Sequence, residues 1–289
     1  MMITESHIEL RSGPHGVLLL HGLAGSNLEV SRLAQRLHLE GFSVYAPNIQ
    51  GYCFDTDCKP YQDWIHDSVQ AYEKLKSECD TVTVCGLSMG ATLALSLADL
   101  YDDMNAMVLL ATCMDYQGWA VPWYQIFLPL LNVLPVNINM AFPEEHPFGV
   151  KNPEIRARMR RALAKKKYAE VGGQSIPLNK IQEGLKLIND VKAKLKNIYC
   201  PTLAIHAIED EICSLKGAED VIKHISSKRK DLIYLDDSYH LITVDNQKNL
   251  VYAETSAFIK DCVNQRVGIN FFKTPRPVHP EAVRLGVVL

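Results

Sequence analysis

No run of about 18 apolar residues occurs in the chain, and the opening MMITESHIELRSGPHG has no basic segment leading into an apolar one. Neither a membrane-spanning helix nor a secretory signal is therefore expected. Charge of one sign is missing too. With 30 Lys+Arg against 33 Asp+Glu, the formal net charge is -3, too little to hold nucleic acid or an anionic bilayer through a global field, so neither is an expected partner. The eight cysteines (Cys53, Cys58, Cys79, Cys85, Cys113, Cys200, Cys213 and Cys262) form no C-x-x-C pair and no Cys/His zinc spacing. That pattern suggests free thiols, many in apolar surroundings, in a reducing compartment; the expected location is the cytoplasm, and no metal is expected. There is no internal repeat and no low-complexity linker.

What is present is enough apolar residue to build a core: 47% of 289 residues are hydrophobic and 22% charged, which suits one domain or one domain plus an insertion. Short apolar runs recur at 17–20 (VLLL), 43–46 (SVYA), 81–85 (TVTVC), 106–112 (AMVLLAT), 202–207 (TLAIHA) and 232–236 (LIYLD), as in strands buried on both faces. Between them, residues 29–40, 61–78, 89–101 and 215–227 carry helical spacing, and a last helix is placed at roughly 248–265. The alternation predicts an α/β protein with an open, mostly parallel, doubly wound sheet, and SHIEL is placed as an antiparallel edge strand. One interval breaks the rhythm. From Cys113 to Tyr199 the chain is rich in Trp, Pro and Leu, then basic, then helical, with no recognisable sheet strand; a helical insertion over the carboxyl ends of the strands is expected there. The division is then core 1–112, insertion 113–199, core 200–266, and a C-terminal extension 267–289 that matches no element.

The chemistry starts at TVTVCGLSMGATLALSLADL, residues 81–100, where a strand turns into a helix with Gly86 and Gly90 two residues either side of Ser88. A hydroxyl is a weak nucleophile unless it is exposed, fixed and within reach of a base. A sharp strand-to-helix turn exposes it, and small residues two places before and after let strand and helix approach: this is the G-x-S-x-G nucleophile elbow. In VLLLHGLAG, residues 17–25, a strand runs into a glycine turn; the N–H of Leu23, with that of Met89 after the serine, can face a developing oxyanion. His21 is read as structural, satisfied by a backbone carbonyl. Asp210 follows the strand ending in TLAIHA, flanked by Glu209 and Glu211, and His240 follows LIYLD just before the last helix. Serine, acid, histidine is the chain order of α/β-hydrolases.

On HGLAG, GLSMG, IHAIEDEIC and SYHLITVD, over roughly residues 14 to 264, the chain resembles the α/β-hydrolase superfamily, and within it the small-lidded bacterial carboxylesterases and monoacylglycerol lipases. The resemblance implies Ser88 as nucleophile, His240 as base and acid, Asp210 as its orienter, Leu23 and Met89 as oxyanion donors, and a helical lid after the strand ending near residue 112. Departures from the family's usual pattern are Tyr52 and Cys53 in PNIQGYC, Tyr239 after Ser238, and Cys213.

An insertion above the serine would roof a pocket, so Trp119, Trp123, Tyr124 and Phe142, with Gly22 and Tyr239 at the entrance, are candidate substrate contacts. An apolar roof favours an acyl chain. Seven basic residues between Arg156 and Lys167 face out if Ile155, Met159 and Leu163 pack down. The expected activity is hydrolysis of a carboxylic ester, the substrate a small-molecule ester or lipid, with no metal or cofactor required. Open alternatives are a thioesterase with the same three residues, in which the basic run meets an anionic headgroup, and a non-catalytic binder.

Overall fold

The computed structural model describes residues 2–4, 7–118, 141–143, 147–164, 175–267 and 283–284. Its strands are β1 (Met2–Thr4), β2 (His7–Leu10), β3 (His15–Leu20), β4 (Ser43–Pro47), β5 (Thr81–Leu87), β6 (Ala106–Leu110), β7 (Ala141–Pro143), β8 (Ser175–Pro177), β9 (Thr202–Ala207), β10 (Lys230–Leu235) and β11 (Val283–Arg284). Its helices are α1 (Ser31–Leu39), α2 (Tyr61–Glu78), α3 (Met89–Leu100), α4 (Pro153–Ala164), α5 (Leu178–Lys194), α6 (Leu215–His224) and α7 (Lys248–Val267). No helix among the described residues is long and apolar enough to cross a membrane.

One sheet runs in the order β1-β2-β4-β3-β5-β6-β9-β10-β11. From β4 to β10 every neighbouring pair is parallel, while β1, β2 and β11 add antiparallel pairs at the two edges. Strands β3, β6 and β9 are buried at every position, which is why their sequences read as unbroken apolar runs. Their side chains still alternate: Val17 and Leu19 pack toward α1 and α7, Leu18 and Leu20 toward α2, α3 and α6. Helix α3 is buried from Met89 through Ala98. This sheet, with helices on both faces, is the α/β-hydrolase arrangement.

The strand order also locates the site. After β3 the chain moves to one side to form β4, then crosses back over β3 to form β5 on the other. The loops leaving β3 and β5 therefore diverge, and a crevice opens at the carboxyl ends of those two strands.

Two expectations need correction. Residues 113–199 do contain strand: β7 and β8 pair antiparallel in a ribbon of three residues each. So short a ribbon leaves no alternation in the sequence, and its partners lie far apart along the chain. The C-terminal extension likewise adds β11, two residues against β10, too few to be read from pattern. In α4, Met159 is buried and Ile155 packs on the core while Arg158, Arg160 and Arg161 are exposed, as the spacing predicts. The Leu163 side chain and residues 165–167 lie outside the described residues, as do Trp119, Trp123, Tyr124 and the side chain of Phe142.

Candidate active site

Ser88 sits at φ 57, ψ -121, between the end of β5 and the first residue of α3. A left-handed serine costs roughly 1–3 kcal/mol and persists only where its surroundings fix it. Here they do: the Ser88 N–H donates to the Leu110 carbonyl at 2.8 Å, and the Ser88 carbonyl accepts from Ala91 at 2.9 Å. The two glycines are required for separate reasons. A Cβ on Gly86 would lie 2.1 Å from the Gly90 carbonyl oxygen, inside the turn, whereas one on Gly90 would lie 2.3 Å from the carbonyl oxygen of Leu20, at the end of β3. Gly90→Ala should therefore push α3 off the sheet, costing roughly 1–3 kcal/mol. A thermal melt checks it, and an unchanged midpoint would contradict the packing.

The other two candidates converge on this serine. His240 Nε2 lies 2.8 Å from Ser88 Oγ, and His240 Nδ1 lies 2.7 Å from Asp210 Oδ2. The second Asp210 oxygen accepts the N–H groups of Ile212 and Cys213, each at 2.9 Å, so the carboxylate is held by its own turn while it holds the imidazole. Asp210 and His240 are buried; Ser88 is half-buried. Burial opposes charge on His240, yet the Asp210 carboxylate, by its charge and hydrogen bond, and the charge of Glu211 raise its pKa to about 9. Burial also opposes charge on Asp210, but His240, by its charge and hydrogen bond, then His206 and the Cys213 N–H hold its carboxyl below the usual range.

The three neighbouring acids separate cleanly. Glu209 is exposed and pairs with Lys151. Glu211 is buried: Oε2 accepts the backbone N–H of His240 at 3.0 Å, and burial raises its pKa to about 7. Only Asp210 faces the ring. The loop bearing the histidine is fixed by Asp245, whose carboxylate accepts the N–H groups of Tyr239 (2.8 Å), Lys151 (2.7 Å) and Asn152 (2.9 Å), tying it to the segment that enters α4. Sequence reasoning missed Asp245, although an aspartate five residues after the histidine in SYHLITVD was available as a turn signal.

Met89 opens α3, so its N–H has no intrahelical acceptor. Leu23 lies in the loop after β3, and its side chain converges with that of Met89 beneath α5: a Cβ on Gly184 of that helix would come 2.9 Å from Met89 Cε and 3.5 Å from Leu23 Cδ2. The same point is 3.3 Å from the Tyr116 hydroxyl, a group sequence reasoning did not single out. His21 is fully buried and neutral, burial lowering its pKa to about 4, with Nδ1 2.8 Å from the Gly22 carbonyl; the structural reading holds. Gly22 lies against Ser88, a Cβ on it falling 3.5 Å from Ser88 Cβ. The Tyr239 ring is 5.8 Å from Lys151 Nζ. Among the departures, the Tyr52 hydroxyl donates to the His21 carbonyl at 2.7 Å, and Cys53 and Cys213 are fully buried free thiols. No group of metal-ligating side chains occurs among the described residues.

Residues 14–247 match the model of a family described as serine aminopeptidase, S33. The chain belongs to that family. Among its relatives, a thermostable monoacylglycerol lipase of Bacillus sp. (strain H-257) is 27% identical over 86% of this chain and 91% of its own length. A carboxylesterase of Bacillus subtilis (strain 168) is 24% identical over 90% of this chain and 98% of its own length. In three dimensions, the crystal structure of a monoacylglycerol lipase from Paleococcus ferrophilus superposes with a TM-score of 0.74 at 15% identity, covering 90% of this chain and all of that one, a likeness of fold.

Proposed function

We propose that the chain is a serine hydrolase that cleaves carboxylic esters of an apolar acyl chain through an acyl-enzyme. The observation that carries this reading is the imidazole of His240, hydrogen-bonded at once to the Ser88 hydroxyl and the Asp210 carboxylate. His240 Nε2 takes the hydroxyl proton as Ser88 Oγ attacks the carbonyl carbon, and Asp210 stabilises the imidazolium that forms. The N–H groups of Leu23 and Met89 receive the oxyanion. The ester C–O bond then breaks, the alcohol leaving with the proton from His240; water, deprotonated by the same ring, attacks the acyl-enzyme, and its collapse returns the proton to Ser88. An acyl chain is favoured by the apolar side chains of Leu23, Tyr116 and Leu185, which pack in one cluster with Met89, the residue that follows the nucleophile. The relatives named monoacylglycerol lipase and carboxylesterase point to the same bond. In this reading the insertion at 113–199 is the lid over the site. Eight free cysteines favour a reducing compartment such as the cytoplasm.

The test is a series of p-nitrophenyl esters from two to sixteen acyl carbons, with the sulfur ester and an aminoacyl anilide beside it. Each buried methylene contributes about 0.8 kcal/mol, roughly fourfold in affinity. Activity should therefore climb with acyl length and stop where the pocket ends; an anilide cleaved faster than every ester would replace the reading with a peptidase.

The pH profile provides a separate check. The base acts only when neutral, and that fraction grows as pH rises through the folded pKa of about 9. In kcat/KM the rise should approach tenfold per pH unit below that value. Glu211→Gln removes one of the charges that raise it, so the limb should move to lower pH. A wild-type profile flat from pH 6 to 9 would contradict this assignment of the base.

A further inference from the structure

Glu29 takes no part in the steps above, yet its carboxyl is buried directly under the loop that follows β3. The residue is 5% exposed, and a carboxyl taken out of water needs compensating partners. Its Oε2 accepts the Gly22 N–H at 2.8 Å, and its backbone carbonyl accepts the hydroxyl of Thr243, three residues past His240, at 2.9 Å. Oε1 fits against Gly25 so closely that a Cβ there would lie 2.1 Å away; a Cβ on Gly22 would lie 3.1 Å from Oε2.

The next peptide is held from the other side. The Gly22 carbonyl accepts the Gly25 N–H at 3.1 Å and lies 2.8 Å from His21 Nδ1. In a trans peptide the Leu23 N–H points opposite that carbonyl. With the Gly22 N–H pinned to Glu29 and the Gly22 carbonyl pinned to His21 and Gly25, the direction of the Leu23 N–H is set. Glycine, free to rotate about both its dihedrals, is otherwise the residue least able to hold such a direction.

We propose that Glu29 is a positioning residue, whose buried carboxyl fixes the Gly22 amide and thereby aims the Leu23 N–H at the oxygen that becomes charged. This rests on the reading of Ser88 as nucleophile. The role is geometric, so an uncharged acceptor of the same shape should fill it. A charge there is a burden, since an ionised Glu29 would face the developing oxyanion. The titratable groups around it do little to neutralise that charge: Tyr52 and Cys53, on the loop between β4 and α2, are pushed up by burial and stay neutral, as does His21, which among the described residues leaves His240, when protonated, as the cation acting on it. Burial raises Glu29 itself to about 7, so its charge appears across the neutral range.

The experiment compares the full-length wild type with Glu29→Ala and Glu29→Gln. The readouts are p-nitrophenyl ester kinetics from pH 6 to 8, a fluorophosphonate labelling rate, and amide hydrogen exchange over residues 21–25, with thermal melts confirming that each variant is folded. Glu29→Ala should lower kcat about 10- to 100-fold, as displaced catalytic groups do, with KM within about threefold, and should speed exchange in the loop. Glu29→Gln should keep kcat and loop protection, and its kcat relative to wild type should increase from pH 6 to 8. A wild-type kcat or unchanged loop exchange in Glu29→Ala overturns the proposal, and so does a Glu29→Gln variant as impaired as the alanine. If Glu29→Ala does not fold, Glu29→Gln decides by the same readouts. Were the wild type to cleave no ester and take no label, the hydrolase reading would fail, while the exchange result would still decide whether Glu29 holds the loop.

Discussion

Ser88→Ala is expected to abolish labelling by a fluorophosphonate and to lower kcat by about three to six orders of magnitude, while the protein stays folded. The size follows from the loss of the proposed covalent route: with no oxygen at this position, the proposed base His240 can only activate water, and the proposed donors at Leu23 and Met89 would supply the residual rate. Stability should change little. Among the described residues the hydroxyl makes one hydrogen bond, to His240 at 2.8 Å, from a half-buried residue, and such a bond contributes about 1 kcal/mol net. Alanine at φ 57 carries a strain similar to that of serine, so the turn has no new reason to relax. A thermal melt run beside the labelling gel separates lost chemistry from lost fold. Hydrolysis at more than a hundredth of the wild-type rate would remove Ser88 from the mechanism.

Asp210→Asn should have the next largest effect, about 10⁴-fold in kcat with little change in KM, by analogy with the serine-protease triad. Asparagine can keep one oxygen on the N–H groups of Ile212 and Cys213, where Asp210 Oδ1 now sits, so the turn survives. Its amide nitrogen then faces His240 Nδ1. The ring must accept there, which places its proton on Nε2, the atom that has to receive the proton of Ser88. The same change removes the carboxylate that holds the folded pKa of His240 near 9, and burial, now unopposed by that charge, favours the neutral ring. The variant's residual activity should therefore reach its plateau at lower pH than the wild type. A loss under tenfold would mean that another group orients the imidazole. The buried Glu211, already 3.0 Å from the backbone N–H of His240, would be the first to examine.

Residues whose roles depend on local backbone were legible in the sequence. The span 61–78 is helical from end to end, and 202–207 is one strand throughout, because helical apolar spacing marks a helix with one buried face and a short unbroken apolar run marks a strand buried on both. The elbow was legible for the same reason: Gly86, Ser88 and Gly90 interact within a few residues of one another and with the strand beside them. The ribbon β7–β8 and the strand β11 were not, since two or three residues of pairing leave no period to detect.

The acids near the histidine show where pattern stops. Glu209, Asp210 and Glu211 are chemically similar neighbours in the same place in the chain order, and the sequence could favour Asp210 only through its register, four residues past His206 at the end of the strand. In the fold one is exposed to a lysine, one receives a backbone N–H, and one meets the ring. Glu29 lies further beyond reach, because nothing in HGLAGSNLEV marks that carboxyl as buried or as the partner of Gly22.

By itself, then, the amino-acid order determined the alternation of strands and helices, the strained serine turn and the sequence of serine, acid and histidine, since each is written in contacts between near neighbours or in burial periodicity. Tertiary structure alone decided which carboxyl meets His240, that Asp245 anchors its loop, and that Glu29 grips Gly22. Those are distances between segments many residues apart, set by how the strands order themselves in the sheet, and an electrostatic or hydrogen-bonding role exists only once such distances fall to about 3 Å.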